Sequence, residues 1–131
     1  MIHCKIVTPL GVYRDVMVKN IHCTSVEGEM TILPNHMPVF ISLKSSPLKF
    51  LNEFDKKKEY AVAGGFLYYE NNEALFLVDA IEGKGDIDIE RARRAYRRAR
   101  ERLEKRDSTT NMKRAELALV RAINRIHVYD D

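Results

Sequence analysis

Asp86-Ile87-Asp88-Ile89-Glu90-Arg91-Ala92 is where a chain patterned for β-strands turns into a basic helix. Two aspartates precede an apolar-periodic run, as at a helix N-terminus. Asp88 is the better N-cap of the two, with Ile87 before it able to pack back on the first turn. Counted at about 100° per residue, Ile89, Ala92, Ala95, Tyr96, Ala99 and Leu103 fall within about 120° of one another. The stripe is mostly alanine, so a second helix can approach closely. The chain supplies one after Asp107-Ser108-Thr109-Thr110-Asn111, a run of turn and cap residues with no apolar member. That helix should start near Met112, with Met112, Ala115, Leu119, Ala122, Ile123 and Ile126 on one face. The spacing predicts an antiparallel two-helix hairpin. Arg91, Arg98 and Arg102 flank its seam on the first helix, and Arg114, Arg121 and Arg125 flank it on the second.

Upstream, short runs of strand-type residues alternate with turn signals. Ile2 to Thr8, Val12 to Thr24, Met30 to Leu33, Val39 to Leu43, Leu48 to Phe54, Glu59 to Ala63, Phe66 to Glu70 and Ala74 to Asp79 read as strands. The breaks fall at Leu10-Gly11, Val26 to Glu29, Pro34 to Pro38, Ser45-Ser46-Pro47, Asp55 to Lys58, Gly64-Gly65 and Asn71-Asn72. Strands this short, with turns every eight to twelve residues, argue for an antiparallel β-sandwich or flattened barrel. The expected organisation is therefore a β-sandwich over residues 1–84 and a helical hairpin over residues 85–131. Gly83-Lys84-Gly85 is the linker between them.

The charge is divided in the same way. Residues 1–85 carry 9 Lys and Arg against 10 Asp and Glu, whereas residues 86–131 carry 13 against 9. Nine of those 13 basic residues lie between Arg91 and Arg106, where like charges at three- and four-residue spacing repel unless an anion or an acidic surface meets them. No apolar run approaches the ~20 residues of a membrane span, and the N-terminus goes straight into strand-like sequence, so any role at a membrane is expected to be peripheral.

Enzyme chemistry finds no foothold in this pattern. Neither serine nor cysteine sits in a nucleophile's setting, Gly64-Gly65 is too short to cradle a phosphate, and no acidic cluster has magnesium-ligand spacing. The pairs His3-Cys4 and His22-Cys23 suggest zinc at first sight. Neighbours on a strand point to opposite faces, however, and the usual spacer between ligands is missing, so ordinary strand cysteines in a reducing compartment are expected, with no metal. His36, between two prolines, is a candidate contact residue. A basic helical arm on a β-module could alternatively bind nucleic acid, but aromatic residues are not interleaved along the arm, and no specific nucleic-acid partner is expected.

Three stretches together resemble the epsilon subunit of bacterial F-type ATP synthase. They are Gly28-Glu29-Met30-Thr31-Ile32-Leu33-Pro34-Asn35-His36-Met37-Pro38-Val39, then Ala63-Gly64-Gly65-Phe66-Leu67, and the Asp-Ile-Asp helix start with Lys113-Arg114-Ala115-Glu116-Leu117-Ala118. Thr31 and Asn35 stand where the family often has glycine. The resemblance implies a non-catalytic central-stalk subunit, a monomer within its complex, peripheral on the cytoplasmic side of the bacterial cell membrane. The sandwich would grip the gamma subunit and the c-ring, with Glu29 and His36 matching family positions at the c-ring end. The helices would inhibit ATP hydrolysis by reaching the catalytic alpha/beta head when extended. Ile87-Asp88-Ile89-Glu90-Arg91-Ala92 also fits a family motif that helps bind ATP as a regulatory ligand. Carried over residue by residue, that site comprises Glu82, Ile87, Asp88, Arg91, Ala92, Arg98, Arg121 and Arg125. The arginines would take the triphosphate, and Ile87 and Ala92 would offer apolar contact to a base. The alternative is that Arg91 and Arg98 simply pair with Glu101 or with acidic partner surfaces.

Overall fold

The computed structural model describes residues 1–105 and 111–130. Nine strands are present among them: β1 (Ile2–Thr8), β2 (Gly11–Ser25), β3 (Gly28–Ile32), β4 (Val39–Leu43), β5 (Ser46–Asn52), β6 (Lys57–Val62), β7 (Gly65–Glu70), β8 (Glu73–Val78) and β9 (Ile81–Gly83). A 3-10 turn over Lys84–Asp86 leads into α1 (Ile89–Lys105), and α2 (Met112–Asp130) follows. The strands form one hydrogen-bonded sheet in the order β1-β8-β7-β4-β2-β5-β6-β9, with β3 paired to β2. A further β1–β2 ladder closes it on itself, which makes the flattened barrel that the strand and turn spacing predicted.

Alternation sets the core. Along β1 the buried residues are Ile2, Cys4 and Ile6, with partly exposed neighbours between them, and β8 repeats the pattern with Ala74, Phe76 and Val78. Tyr69, Phe76, Ile2, Ile6, Ile21 and Ile32 are the largest side chains wholly removed from water. β1 and β8 pair in parallel, the exception in an otherwise antiparallel sheet. Strands so far apart in sequence leave no turn signal to announce the pairing.

Pro47 belongs to β5, opposite Ala61, and not to the turn expected at Ser45-Ser46-Pro47. The β2–β5 ladder ends at Lys49, so one side of Pro47 is unpaired and its missing N–H interrupts no ladder there. Asn35 has φ +66°, a left-handed conformation that glycine adopts freely and that asparagine tolerates.

Cys4 and Cys23 are buried free thiols, which burial pushes up to about 12 and about 11 respectively. Among the described residues no cluster of three or more histidine, cysteine or acidic residues could hold a metal ion. The histidines beside the cysteines are engaged elsewhere. His3 lies between Asp15 and Glu73, with Nδ1 2.6 Å from Glu73 Oε2, and His22 Nδ1 is 3.0 Å from Thr31 Oγ1. The bond to Asp15, then that to Glu73, raises His3 above the ordinary imidazole value.

Gly83-Lys84-Gly85 is not a free linker. Gly83 pairs with Tyr60 as the last residue of β9, and its N–H donates to Asp86 Oδ2 at 3.3 Å. Tyr13 donates its hydroxyl to the same oxygen at 3.1 Å. Burial first, and then this bond, holds the Tyr13 phenol above its usual range. The start of the hairpin is thus fastened to the sandwich by a carboxylate that serves two donors.

Candidate functional site

Asp88 caps α1 as expected. The Arg91 N–H donates to Asp88 Oδ1 at 3.1 Å, and the Ala92 N–H to the Asp88 carbonyl at 3.0 Å. Asn111 does the same for α2 through the Arg114 and Ala115 N–H groups, while residues 107–110 of the expected turn lie outside the described residues. Ile87 is buried in a small cluster with Ala61 of β6 and Val128 of α2.

The seam between the helices is built of alanine. Ala92 and Ala99 on α1 and Ala115 and Ala122 on α2 are the buried residues, seven apart in each helix. Towards its C-terminal end α2 also packs on the sheet, which rotates its buried arc. Ile123, expected in the seam, is 47% exposed, and Asn124 and Val128 are buried in its place. A heptad reading from one partner helix misses this, because α2 has two partners.

Antiparallel pairing sets the first turn of α1 beside the last turns of α2, and most of the expected site collects there. Arg125 Nε donates to Glu82 Oε1 at 2.7 Å across a partly buried pair. Nε is the atom engaged, so the donors of the two terminal nitrogens are not used in that bond. Arg121 stands one turn earlier and borders a small notch with Glu82, Asn124 and Arg125. Arg91 follows the Asp88 cap at the same end, and Arg98 lies about two turns, ~10 Å, farther along α1. The guanidinium groups of Arg91, Arg98 and Arg121 pair with no acidic group among the described residues. On α1 the ion pairs are Arg93–Glu90 at 3.5 Å and Arg100–Glu104 at 3.2 Å. Ile87 and Ala92 are 7% and 2% exposed, so they back the site from within and present no free apolar face.

The sandwich carries two exposed features. In the loop after β3, Leu33 and Met37 are exposed, while the Asn35 N–H donates to Asn72 Oδ1 at 2.7 Å and the Tyr69 hydroxyl to the same oxygen at 2.9 Å. His36 is half-buried there, edge-on to Tyr69 at 5.9 Å, and Glu29 is exposed on β3. The second feature was not anticipated from sequence. Phe40 of β4, Phe66 and Tyr68 of β7 and Leu77 of β8 are 46–68% exposed on adjacent strands, and Phe40 stacks on Phe66 at 5.7 Å. Its one legible signal was an aromatic residue at the outward position of a strand whose inward positions were already apolar.

Residues 1–84 match the model of the ATP synthase delta/epsilon chain β-sandwich domain, and residues 86–130 that of the long α-helix domain. The ATP synthase epsilon chain of Bacillus velezensis is 39% identical over 123 residues, covering 94% of this chain and 92% of that one. The epsilon chain of Clostridium kluyveri is 37% identical with the same coverage. Among solved structures, a chain in the mitochondrial ATP synthase of Euglena gracilis superposes with a TM-score of 0.82 at 22% identity, over 94% of this chain and 78% of its own, and shares the fold. Matched along both its sandwich and its helices, the chain belongs to the ATP synthase delta/epsilon chain family, as an epsilon chain.

Proposed function

We propose that this epsilon chain is a non-catalytic central-stalk subunit whose sandwich docks on the gamma subunit and the c-ring and whose hairpin is a regulatory element closed by ATP. The observation that carries the regulatory half is the end of the hairpin, where Arg121 and Arg125 come from one helix and Arg91 from the other, with Arg98 farther along. Four guanidinium groups converge on a triphosphate only when the helices lie side by side, so ATP binds the closed form better and shifts the balance toward it. Without the anion these charges repel across the seam. The extended form would carry the arginine rows to acidic surfaces of the catalytic alpha/beta head and inhibit hydrolysis there.

Arg98→Ala tests the nucleotide reading, because the side chain is exposed and supports neither cap nor seam. ATP binding, followed by calorimetry on the full chain, should weaken by about 1.5–3 kcal/mol, the value of a hydrogen bond to a charged group. Equal affinity for wild type and variant would return the arginines to partner-facing charges.

The docking half rests on the aromatic face of β4, β7 and β8, which a free-standing domain has no reason to expose, and on the rim around Glu29 and His36. We assign the aromatic face to the gamma subunit and the rim to the c-ring. Phe66→Asp should abolish co-purification with the gamma subunit while leaving the sandwich folded, since the ring is 46% exposed. Retained co-purification would move the gamma contact elsewhere.

A further inference from the structure

A cleft opens where β2 parts from β5. The β2–β5 ladder ends at Val18, with an irregularity between Val18 and Asn20, and the N-terminal half of β2 runs on beside β1. The turn over Lys84–Asp86 and Val128 of α2 border the space from the hairpin side. Its volume is about 870 Å³, inside the range of about 300–1000 Å³ typical of small-molecule sites. The floor is apolar, with Phe50 and Tyr60 buried and stacked on each other at 5.5 Å, and with Leu51 beside them. The walls are basic. Arg14 stands opposite the buried Ile6 and Lys58 opposite the buried Phe50, so both cations occupy inward-facing positions of their strands. Both are nevertheless exposed, because the cleft lets water reach them. Arg14 is held in place, its Nη1 donating to the Tyr13 carbonyl at 2.9 Å and its guanidinium lying 4.3 Å from the centre of the Tyr13 ring. Lys57 lines the same space. The two acids there are already engaged. Glu59 lies 3.7 Å from Lys49 Nζ, and Asp86 accepts from the Tyr13 hydroxyl and the Gly83 N–H. Among the described residues no acidic group pairs with Arg14, Lys57 or Lys58.

We infer that this cleft is a second ligand site, separate from the nucleotide site proposed above, and that it takes a small soluble phosphomonoester with a flat apolar body. The phosphate dianion meets Arg14 and Lys58 from two different strands, the guanidinium as a planar fork and the ammonium as a point charge, with Lys57 at the rim. The apolar body lies on the floor of Phe50, Leu51 and Tyr60, which fixes it against water. Because the cations stand at inward positions and not on a projecting tip, the ligand has to enter the cleft. A soluble molecule can do so, whereas a phosphate headgroup held in a bilayer cannot.

The test is calorimetric titration of the full chain with naphthyl phosphate, set against inorganic phosphate and naphthol, each of which carries half of its chemistry. Wild type should bind naphthyl phosphate at one site, at least about tenfold more tightly than either control. Lys58→Glu and Arg14→Gln, with folds checked by circular dichroism, should each weaken that binding about 10- to 100-fold. The two lie on different strands, so either one that folds carries the test. Lys56→Glu reverses a charge on the same β5–β6 hairpin outside the cleft, and should bind as wild type does. Equal affinity for wild type and the two cleft variants, or no binding by wild type, overturns the inference, and the inward cations then only keep the unpaired edge of β2 from joining other strands. Naphthol bound as tightly as its phosphate would mean an unspecific apolar surface, and a loss in Lys56→Glu equal to that in Lys58→Glu would mean general charge attraction; each overturns it. Co-sedimentation with phosphatidylglycerol vesicles that both cleft variants abolish would assign the cations to a lipid headgroup and overturn the soluble ligand.

Discussion

Gly65→Ala is expected to lower the stability of the sandwich by about 3–5 kcal/mol, combining backbone strain with overpacking. Gly65 has φ +141°, a conformation that L side chains rarely adopt. A Cβ there would lie 2.2 Å from the Leu77 carbonyl oxygen and 2.7 Å from Val78 Cα, both backbone atoms of a paired strand that cannot swing away. Residue 65 also pairs with Leu43 of β4 and Val78 of β8, so any shift is passed to both neighbours. Against a total stability of about 5–15 kcal/mol for a typical domain, such a loss brings unfolding close to working temperature. Gly85→Ala is the control, since nothing lies within 4 Å of the added carbon and its φ is unexceptional, and it should change stability by less than about 0.5 kcal/mol. Urea unfolding of the three proteins checks this, and equal midpoints for Gly65→Ala and wild type would mean that β7 and β8 can separate at no cost.

The contrast between Gly65 and Asn124 shows which features a single sequence makes legible. A glycine pair between two strand-like runs announces a turn, and alternation announces each strand's inner face, because both signals are local. Asp88 as cap and Met112 as helix start were readable for the same reason. What escaped depends on a second surface. β9 is three residues long and acquires strand character only by pairing with β6, and the parallel β1–β8 ladder joins strands far apart in sequence. Ile123 fits the heptad of the seam, yet the sheet under α2 turns it outward and draws in Asn124, a polar residue that no apolar count would select. The carried-over site was legible as a set of residue types. Its geometry was not, and neither the burial of Ile87 and Ala92 nor the Glu82–Arg125 bond follows from spacing along the chain.

Ala122→Leu is expected to release the hairpin and leave the sandwich folded. Ala122 is 1% exposed in a seam whose other buried members are Ala92, Ala99 and Ala115, so three extra carbons enter a contact built for a single methyl, at a cost of about 1–3 kcal/mol. The forces that hold the hairpin are of the same size. Each seam alanine buries one methyl, worth about 0.8 kcal/mol. The Asn124–Val62 hydrogen bond adds about 1 kcal/mol, and the partly exposed Arg125–Glu82 pair about 1 kcal/mol or less. The sandwich depends on none of these, because its core of Tyr69, Phe76 and the buried isoleucines closes without the helices. Hydrogen exchange on the full chain should therefore show protection falling about 10- to 100-fold across α1 and α2, with β1, β2 and β8 unchanged. ATP should restore protection in the variant only at far higher concentration than wild type needs for binding, because the variant must first recover the closed form that binds. Protection lost equally in the sandwich and the helices would show one cooperative unit, and a regulatory hairpin that opens by itself would have to be abandoned.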